Sequence, residues 1–159
     1  MKPRVYIETS VISYLTARTS ADELKAACQQ VTQAWWTSRR HDVDVFISPY
    51  VMEEVSRGDA VAAQARIDSL RALTVLPTNP AILDLAQYLL QGGGLPAKAL
   101  LDALHIASAA VHRMDILLTW NCTHIANPMQ LPVIRGLCSA RGWRMPELVT
   151  PFEMMEAYP

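Results

Sequence analysis

Three short, wholly apolar runs, Val5-Tyr6-Ile7, Val45-Phe46-Ile47 and Ile116-Leu117-Leu118, are separated by stretches long enough for helices. Runs of this kind read as strands buried on both faces. Thr74-Val75-Leu76 reads as a further short strand, and Glu147-Leu148-Val149 as an edge strand. The segments between them carry helix signals. Thr9 or Ser10 can cap a short helix to about Thr16, and Ser20 and Glu23 have capping-box spacing for a long helix to about Arg40. Ser48-Pro49 supplies an N-cap and a first-turn proline for a helix that stops at Gly58. Residues 60–72 are Ala-rich, Asn79-Pro80 opens a helix that ends at Gly92-Gly93-Gly94, and Lys98 to Arg113 and residues 129–141 are helical. Thr150-Pro151-Phe152-Glu153 opens the last helix with a second capping box. This alternation predicts an α/β chain, residues 1–159 as a single domain, with a parallel sheet covered on both faces. Ligands are then expected at the carboxyl ends of the strands. The triple glycine, with no side chains to hold it, is expected to be a mobile loop.

Composition narrows the function classes. Of the 159 residues 51% are hydrophobic and 18% charged, so the chain is globular. Net charge is -1, from 14 Lys+Arg against 15 Asp+Glu, and no basic excess advertises nucleic-acid binding. A nucleic-acid partner must therefore be held by a local patch or through metal. Cys28, Cys122 and Cys138 are irregularly spaced and read as reduced thiols of a cytoplasmic protein. Met1-Lys2-Pro3-Arg4 leads straight into a strand without a secretory apolar segment, and no apolar stretch nears the roughly 18 residues that span a bilayer.

Carboxylates on core elements carry the functional argument, because burying one unpaired costs several kcal/mol. Asp102 stands in the apolar run Leu100 to Ala110, and Glu8 ends the first strand, followed by Thr9 and Ser10. Both readings of Asp102 are open at this level: a site carboxylate, or one bonded to a backbone amide or to Lys98. Glu54 borders the Val51–Val55 stripe and its position leaves site and solvent readings open, whereas Glu53 reads as a solvated glutamate. His105 shares Asp102's face and reads as packed and hydrogen-bonded. Arg39-Arg40-His41 and the set Arg135, Arg141 and Arg144 are the basic clusters. Trp35 and Trp36 read as core or dimer packing, and Cys122-Thr123-His124 lacks the partner pair a zinc site needs.

Taken in order, Tyr-Ile-Glu-Thr-Ser after a strand, Glu-Glu-Val-Ser-Arg-Gly on a helix, Asp-Ala-Leu-His-Ile-Ala-Ser-Ala on a later helix and Leu-Leu-Thr-Trp-Asn after a strand follow the pattern of a PIN domain. From Val5 to about Glu153 the chain resembles the PIN-domain ribonucleases, most closely the toxins of VapBC-type toxin–antitoxin pairs. The resemblance implies a PIN-like three-layer α/β/α fold with a central, mostly parallel sheet of four to five strands.

It also implies a site. The family's first acidic position falls on Glu8, its helix glutamate on Glu54, its central aspartate on Asp102 and its last acidic position on Asn121. Glu8 and Asp102 are the implied metal ligands for Mg²⁺ or Mn²⁺, with Thr9, Ser10 and Thr119 positioning ligands or phosphate. The implied activity is endonucleolytic hydrolysis of RNA by the toxin of a pair, with an antitoxin and a second copy of the chain as protein partners. Two positions depart from the family pattern: Glu8 stands for the usual aspartate, and the neutral Asn121 for a frequent aspartate. A catalytically silent PIN fold that binds RNA or a protein partner is the alternative these departures leave open.

Overall fold

The computed structural model describes residues 1–156. The chain runs β1 (Arg4–Ile7), α1 (Thr9–Thr16), α2 (Glu23–Ser38), a 3₁₀ turn (Arg40–Asp42), β2 (Asp44–Ile47), α3 (Pro49–Val55), α4 (Ala60–Leu70) and β3 (Thr74–Val75). It continues through α5 (Pro80–Gln91), α6 (Leu100–Val111), β4 (Ile116–Leu118), α7 (Leu131–Ala140), β5 (Glu147–Val149) and α8 (Pro151–Glu156). The sheet has five strands in the order β3-β2-β1-β4-β5, and every pairing is parallel.

Side chains alternate faces along a strand, so the complete burial of Val5, Tyr6 and Ile7 means that both faces of β1 are covered. Helices supply that cover in a three-layer α/β/α arrangement, with α5 packed on α6 and α2 on α1 and α8. Only edge strand β3 is exposed at both of its residues. The chain builds outward from β1 through β2 to β3, then crosses to lay β4 and β5 on the other side. The strand order therefore reverses between β1 and β4, where open α/β sheets place their ligand crevice. Glu8 and Thr119 stand at this point: Glu8 N–H donates to Leu118 O at 3.0 Å, and Thr119 N–H to Val149 O at 3.0 Å.

Several local expectations are corrected. Glu8 itself caps α1, accepting from Ser10 N–H, so Thr9 and Ser10 lie inside the helix. Asp22, and not Ser20, caps α2, because its carboxylate reaches Lys25 N–H at 2.8 Å while the Ser20 hydroxyl accepts from Asp22 N–H. The helix of Asp102 begins at Leu100, which puts that carboxylate in the first turn, where exposed N–H groups favour negative charge. The second capping box forms as expected, with Glu153 accepting from Thr150 N–H at 2.6 Å.

The triple glycine is a packed turn. Gly93 takes the left-handed conformation at φ 74°, and a Cβ on Gly92 would lie 2.5 Å from Leu137. Gly94 is buried, and a Cβ there would lie 3.1 Å from Leu137 and 3.2 Å from Ile134, so α7 packs closely on the turn. Among the described residues no helix is long and apolar enough to cross a membrane. All three cysteines are free, and burial pushes the Cys138 thiol up to about 11.

Candidate functional site

Glu8 sits at the end of β1 with only 5% of its surface exposed. Its Oε2 accepts from Ser10 N–H at 3.1 Å, from Thr119 Oγ1 at 2.7 Å and from the Ser10 hydroxyl. Backbone groups fix the direction of both hydroxyls. Ser10 Oγ accepts from Trp120 N–H at 2.8 Å and Thr119 Oγ1 from Asn121 N–H at 2.9 Å, so each hydroxyl proton is left for Glu8. The expected positioning residues Ser10 and Thr119 thus hold one carboxylate oxygen, and Oε1 has no protein partner among the described residues.

Glu54 arrives from α3 and is half-buried. Its Oε1 accepts from Thr9 Oγ1 at 2.9 Å and from His105 Nε2 at 2.5 Å, leaving Oε2 without a protein partner among the described residues. Burial pushes its carboxyl up, but the His105 hydrogen bond and charge, the Thr9 hydroxyl and the Arg57 charge outweigh that and hold it below its ordinary value of 4.5. Behind it lies a dry relay. His105 Nδ1 is 2.7 Å from Tyr6 OH, which is 2.7 Å from Ser48 Oγ, and Tyr6, Ser48 and His105 are all buried. Burial, helped by the charges of Glu8 and Glu54, keeps the Tyr6 phenol protonated far above the usual range. Its single proton serves either Ser48 or His105. Since a carboxylate only accepts, His105 Nε2 carries a proton directed at Glu54.

Ligand atoms of Glu8, Glu54 and His105 all lie within 4.8 Å of one another. Asp102 is not part of that trio. Its Oδ1 accepts from Asn121 Nδ2 at 3.0 Å and its Oδ2 meets His124 Nδ1 at 2.7 Å. Asn121 Oδ1 in turn accepts His124 N–H at 3.0 Å, which fixes the amide with its NH₂ toward Asp102. The oxygen donor expected of Asn121 is therefore spent on the backbone, and the side chain acts as a clamp. Hydrogen bonds still join the two halves, from Glu8 through the Thr119 hydroxyl to Asn121 and Asp102.

The chemistry fits a hard divalent cation. Glu8 and Glu54 converge with one unpartnered oxygen each, and among the described residues neither forms an ion pair with Lys or Arg, which suits such an ion. His105 is packed and bonded, as its place on Asp102's face suggests. His124, which the sequence brings up only within a zinc-like fragment, is the partner of Asp102 that sequence reasoning did not anticipate. The signal was the Asn121–His124 spacing, since an Asn side chain bonding a backbone N–H shortly downstream forms a local turn that brings the ring back to Asp102.

The basic clusters lie elsewhere. Arg39, Arg40 and His41 precede the start of β2, and Arg141 and Arg144 precede β5, so both stand at the amino edge of the sheet, opposite Glu8. Arg39 pairs with Asp42, Arg40 lies over the Trp36 ring, and Arg141 over Tyr88. Glu53 is exposed and pairs with Arg57 at 2.5 Å, as a solvated glutamate does. Trp35 is fully buried in the core.

Similarity to known proteins agrees with this architecture. A chain of the solved structure of VapBC2 from Rickettsia felis, bound to a DNA fragment from their promoter, has the same fold, with a TM-score of 0.55 and 15% identity. The match covers 92% of this chain and 98% of that one. No curated protein matches the sequence. The PIN domain family model matches residues 5–121, which contain all four carboxylate and amide positions of the site. The chain therefore belongs to the PIN domain family.

Proposed function

We propose that the protein is a Mg²⁺- or Mn²⁺-dependent endoribonuclease and the toxin half of a toxin–antitoxin pair. The observation that carries the reading is the meeting of Glu8, Glu54 and His105 at the β1/β4 reversal point, joined through Thr119 and Asn121 to Asp102. Glu8 and Asp102 are the metal ligands of the reading, with Glu54 completing the set. A bound cation supplies Lewis-acid polarisation of a phosphoryl oxygen and acidifies a coordinated water.

This chain's residues do the rest. Ser10 and Thr119 hold Glu8 by one oxygen and leave Oε1 free, and Thr9 and His105 hold Glu54 by one oxygen and leave Oε2 free. Those two oxygens would hold the cation, or that of Glu54 would orient the attacking water. Asn121 and His124 fix the plane of Asp102, as outer partners of ligating carboxylates do. RNA enters over the carboxyl edge of the sheet, and its cleaved strand leaves a phosphate and a hydroxyl end. A small antitoxin covering the acidic cleft belongs to the same reading and is supported by the likeness to a VapBC assembly, and a cytoplasmic location and a homodimer complete it.

One observation favours the silent alternative: the Asn121 amide presents N–H groups and no oxygen to Asp102. The two readings separate by incubating structured RNA and Mn²⁺ with the wild type and with Asp102→Asn. The nuclease reading expects cutting by the wild type and a loss of about 10³-fold or more in the variant. RNA binding by both proteins with no cutting by either establishes the silent form.

A further inference from the structure

A nuclease needs positive charge beside its scissile phosphate, and the two arginine clusters are at the wrong edge of the sheet. Most cations of the chain are spent locally. Arg57, Arg71 and Arg135 form ion pairs, Arg4 lies over Phe46, and Arg66 binds backbone carbonyls. Arg18 and Lys25 are exposed and form no ion pair among the described residues. They flank the turn from α1 to α2. Because α1 starts at the carboxyl edge and α2 ends just before β2 begins, the start of α2 is on the site's side of the molecule.

Between them is a cavity of ≈ 340 Å³, lined by Ser13, Tyr14, Arg18, Lys25 and Gln29 among others. It is a built feature. Gln29, 6% exposed, donates to Arg18 O at 2.9 Å and accepts Ser20 N–H at 2.9 Å, so the turn is tied from beneath. Asp22, the exposed carboxylate on the turn, accepts from Lys25 N–H at 2.8 Å and caps the helix. Tyr14 forms one wall, one helical turn beyond Ser10. Its ring meets Trp120 edge-on at 5.9 Å. Trp120 is pinned in turn, its indole N–H donating to Thr32 Oγ1 at 2.8 Å and its backbone N–H to Ser10 Oγ at 2.8 Å. The aromatic wall is thus continuous with the hydroxyl that holds Glu8.

Resting on the nuclease reading, we propose that this cavity is the subsite for an unpaired nucleotide of the RNA strand next to the scissile phosphate. Tyr14 stacks a base, and Arg18 and Lys25 hold the flanking phosphates. An aromatic platform between free cations is the arrangement that binds single strands, and a paired base has no face to offer it.

The test is fluorescence anisotropy of a labelled single-stranded RNA in EDTA across a salt series, with cutting of the same RNA measured separately in Mn²⁺. Arg18→Glu combined with Lys25→Glu is expected to weaken binding by at least about tenfold. It should also flatten the log–log salt slope by about 1.4, at roughly 0.7 per lost phosphate contact on a single strand. Arg135→Glu with Arg144→Glu, at the far edge, is expected to bind as the wild type does. Tyr14→Leu is expected to lose about tenfold with the salt slope unchanged, since stacking releases no counterions. If that variant does not fold, the charge-reversal pair decides alone. A wild type that binds and cuts RNA, with the Arg18/Lys25 variant binding equally well, overturns the subsite and leaves the nuclease reading standing. A wild type that neither binds nor cuts overturns both. Arg18/Lys25-dependent binding of an acidic peptide, without such dependence for RNA, makes the face a protein dock and also overturns the subsite.

Discussion

The two halves of the site hold their carboxylates by different means. Glu8 and Glu54 are held from the core: Ser10 of α1 and the buried Thr119 hold Glu8, Thr9 of α1 and His105 of α6 hold Glu54, and the relay behind them through Tyr6 of β1 to Ser48 at the N-cap of α3 is largely closed to water. Asp102 is held from a loop. Its partners Asn121 and His124 lie in the turn after β4, and the His124 side chain is 28% exposed. The difference separates folding from function. Groups that steady the inner carboxylates are packed into the fold, whereas the His124 ring that steadies Asp102 is partly exposed and contributes less to it.

That contrast breaks most visibly at Tyr6. Tyr6→Phe removes one oxygen and leaves the buried Ser48 hydroxyl and His105 Nδ1 without their shared partner. Urea denaturation is expected to show a loss of about 1–3 kcal/mol, the cost of orphaned buried polar groups. A loss within error would mean that the relay contributes nothing to the fold.

His124→Ala examines the outer half. The ring is partly exposed, so stability is expected to fall by less than about 1 kcal/mol. Mn²⁺ affinity, measured by calorimetry, is expected to fall by about tenfold or more, as for other outer partners of metal ligands. A large loss of stability with unchanged affinity would reverse the assignment of the two halves.

The smallest effect is a pH dependence in the metal-free protein. Glu54's carboxyl is held below 4.5 in the fold. Its ionised form therefore adds stability above the unfolded-state value, and that stability is lost as pH falls through the lower folded value. The stability gap between wild type and Glu54→Gln is expected to be full near neutrality and to close on acidification below the usual carboxylate range. A gap that widens in acid would contradict the sign.

The centre of the sheet was legible because β1, β2 and β4 each carry a continuous apolar run, as strands covered on both faces do. Boundaries were less so. Glu8 outcompeted Thr9 as the cap of α1 because its carboxylate reaches Ser10 N–H, and Asp22 outcompeted Ser20 by standing immediately before the helix. Sequence put forward Glu8, Glu54, Asp102 and Asn121 as candidates but not their orientations. The direction of the Asn121 amide is set by the His124 N–H, a contact three residues away in a turn with no apolar period to announce it. The position of the first basic cluster was also legible. In a parallel sheet, residues just before a strand lie at its amino edge, and Arg39-Arg40-His41 immediately precede β2.

The account turns on the carboxylates sharing one ion, and a crystal grown with Mn²⁺ tests this most directly through its anomalous signal. The expected result is a peak bounded by Glu8, Glu54 and Asp102, contacted by the Glu8 and Glu54 oxygens that have no protein partner. Saturating Mn²⁺ with no peak there, or with ions only at other carboxylates of the surface, would contradict it.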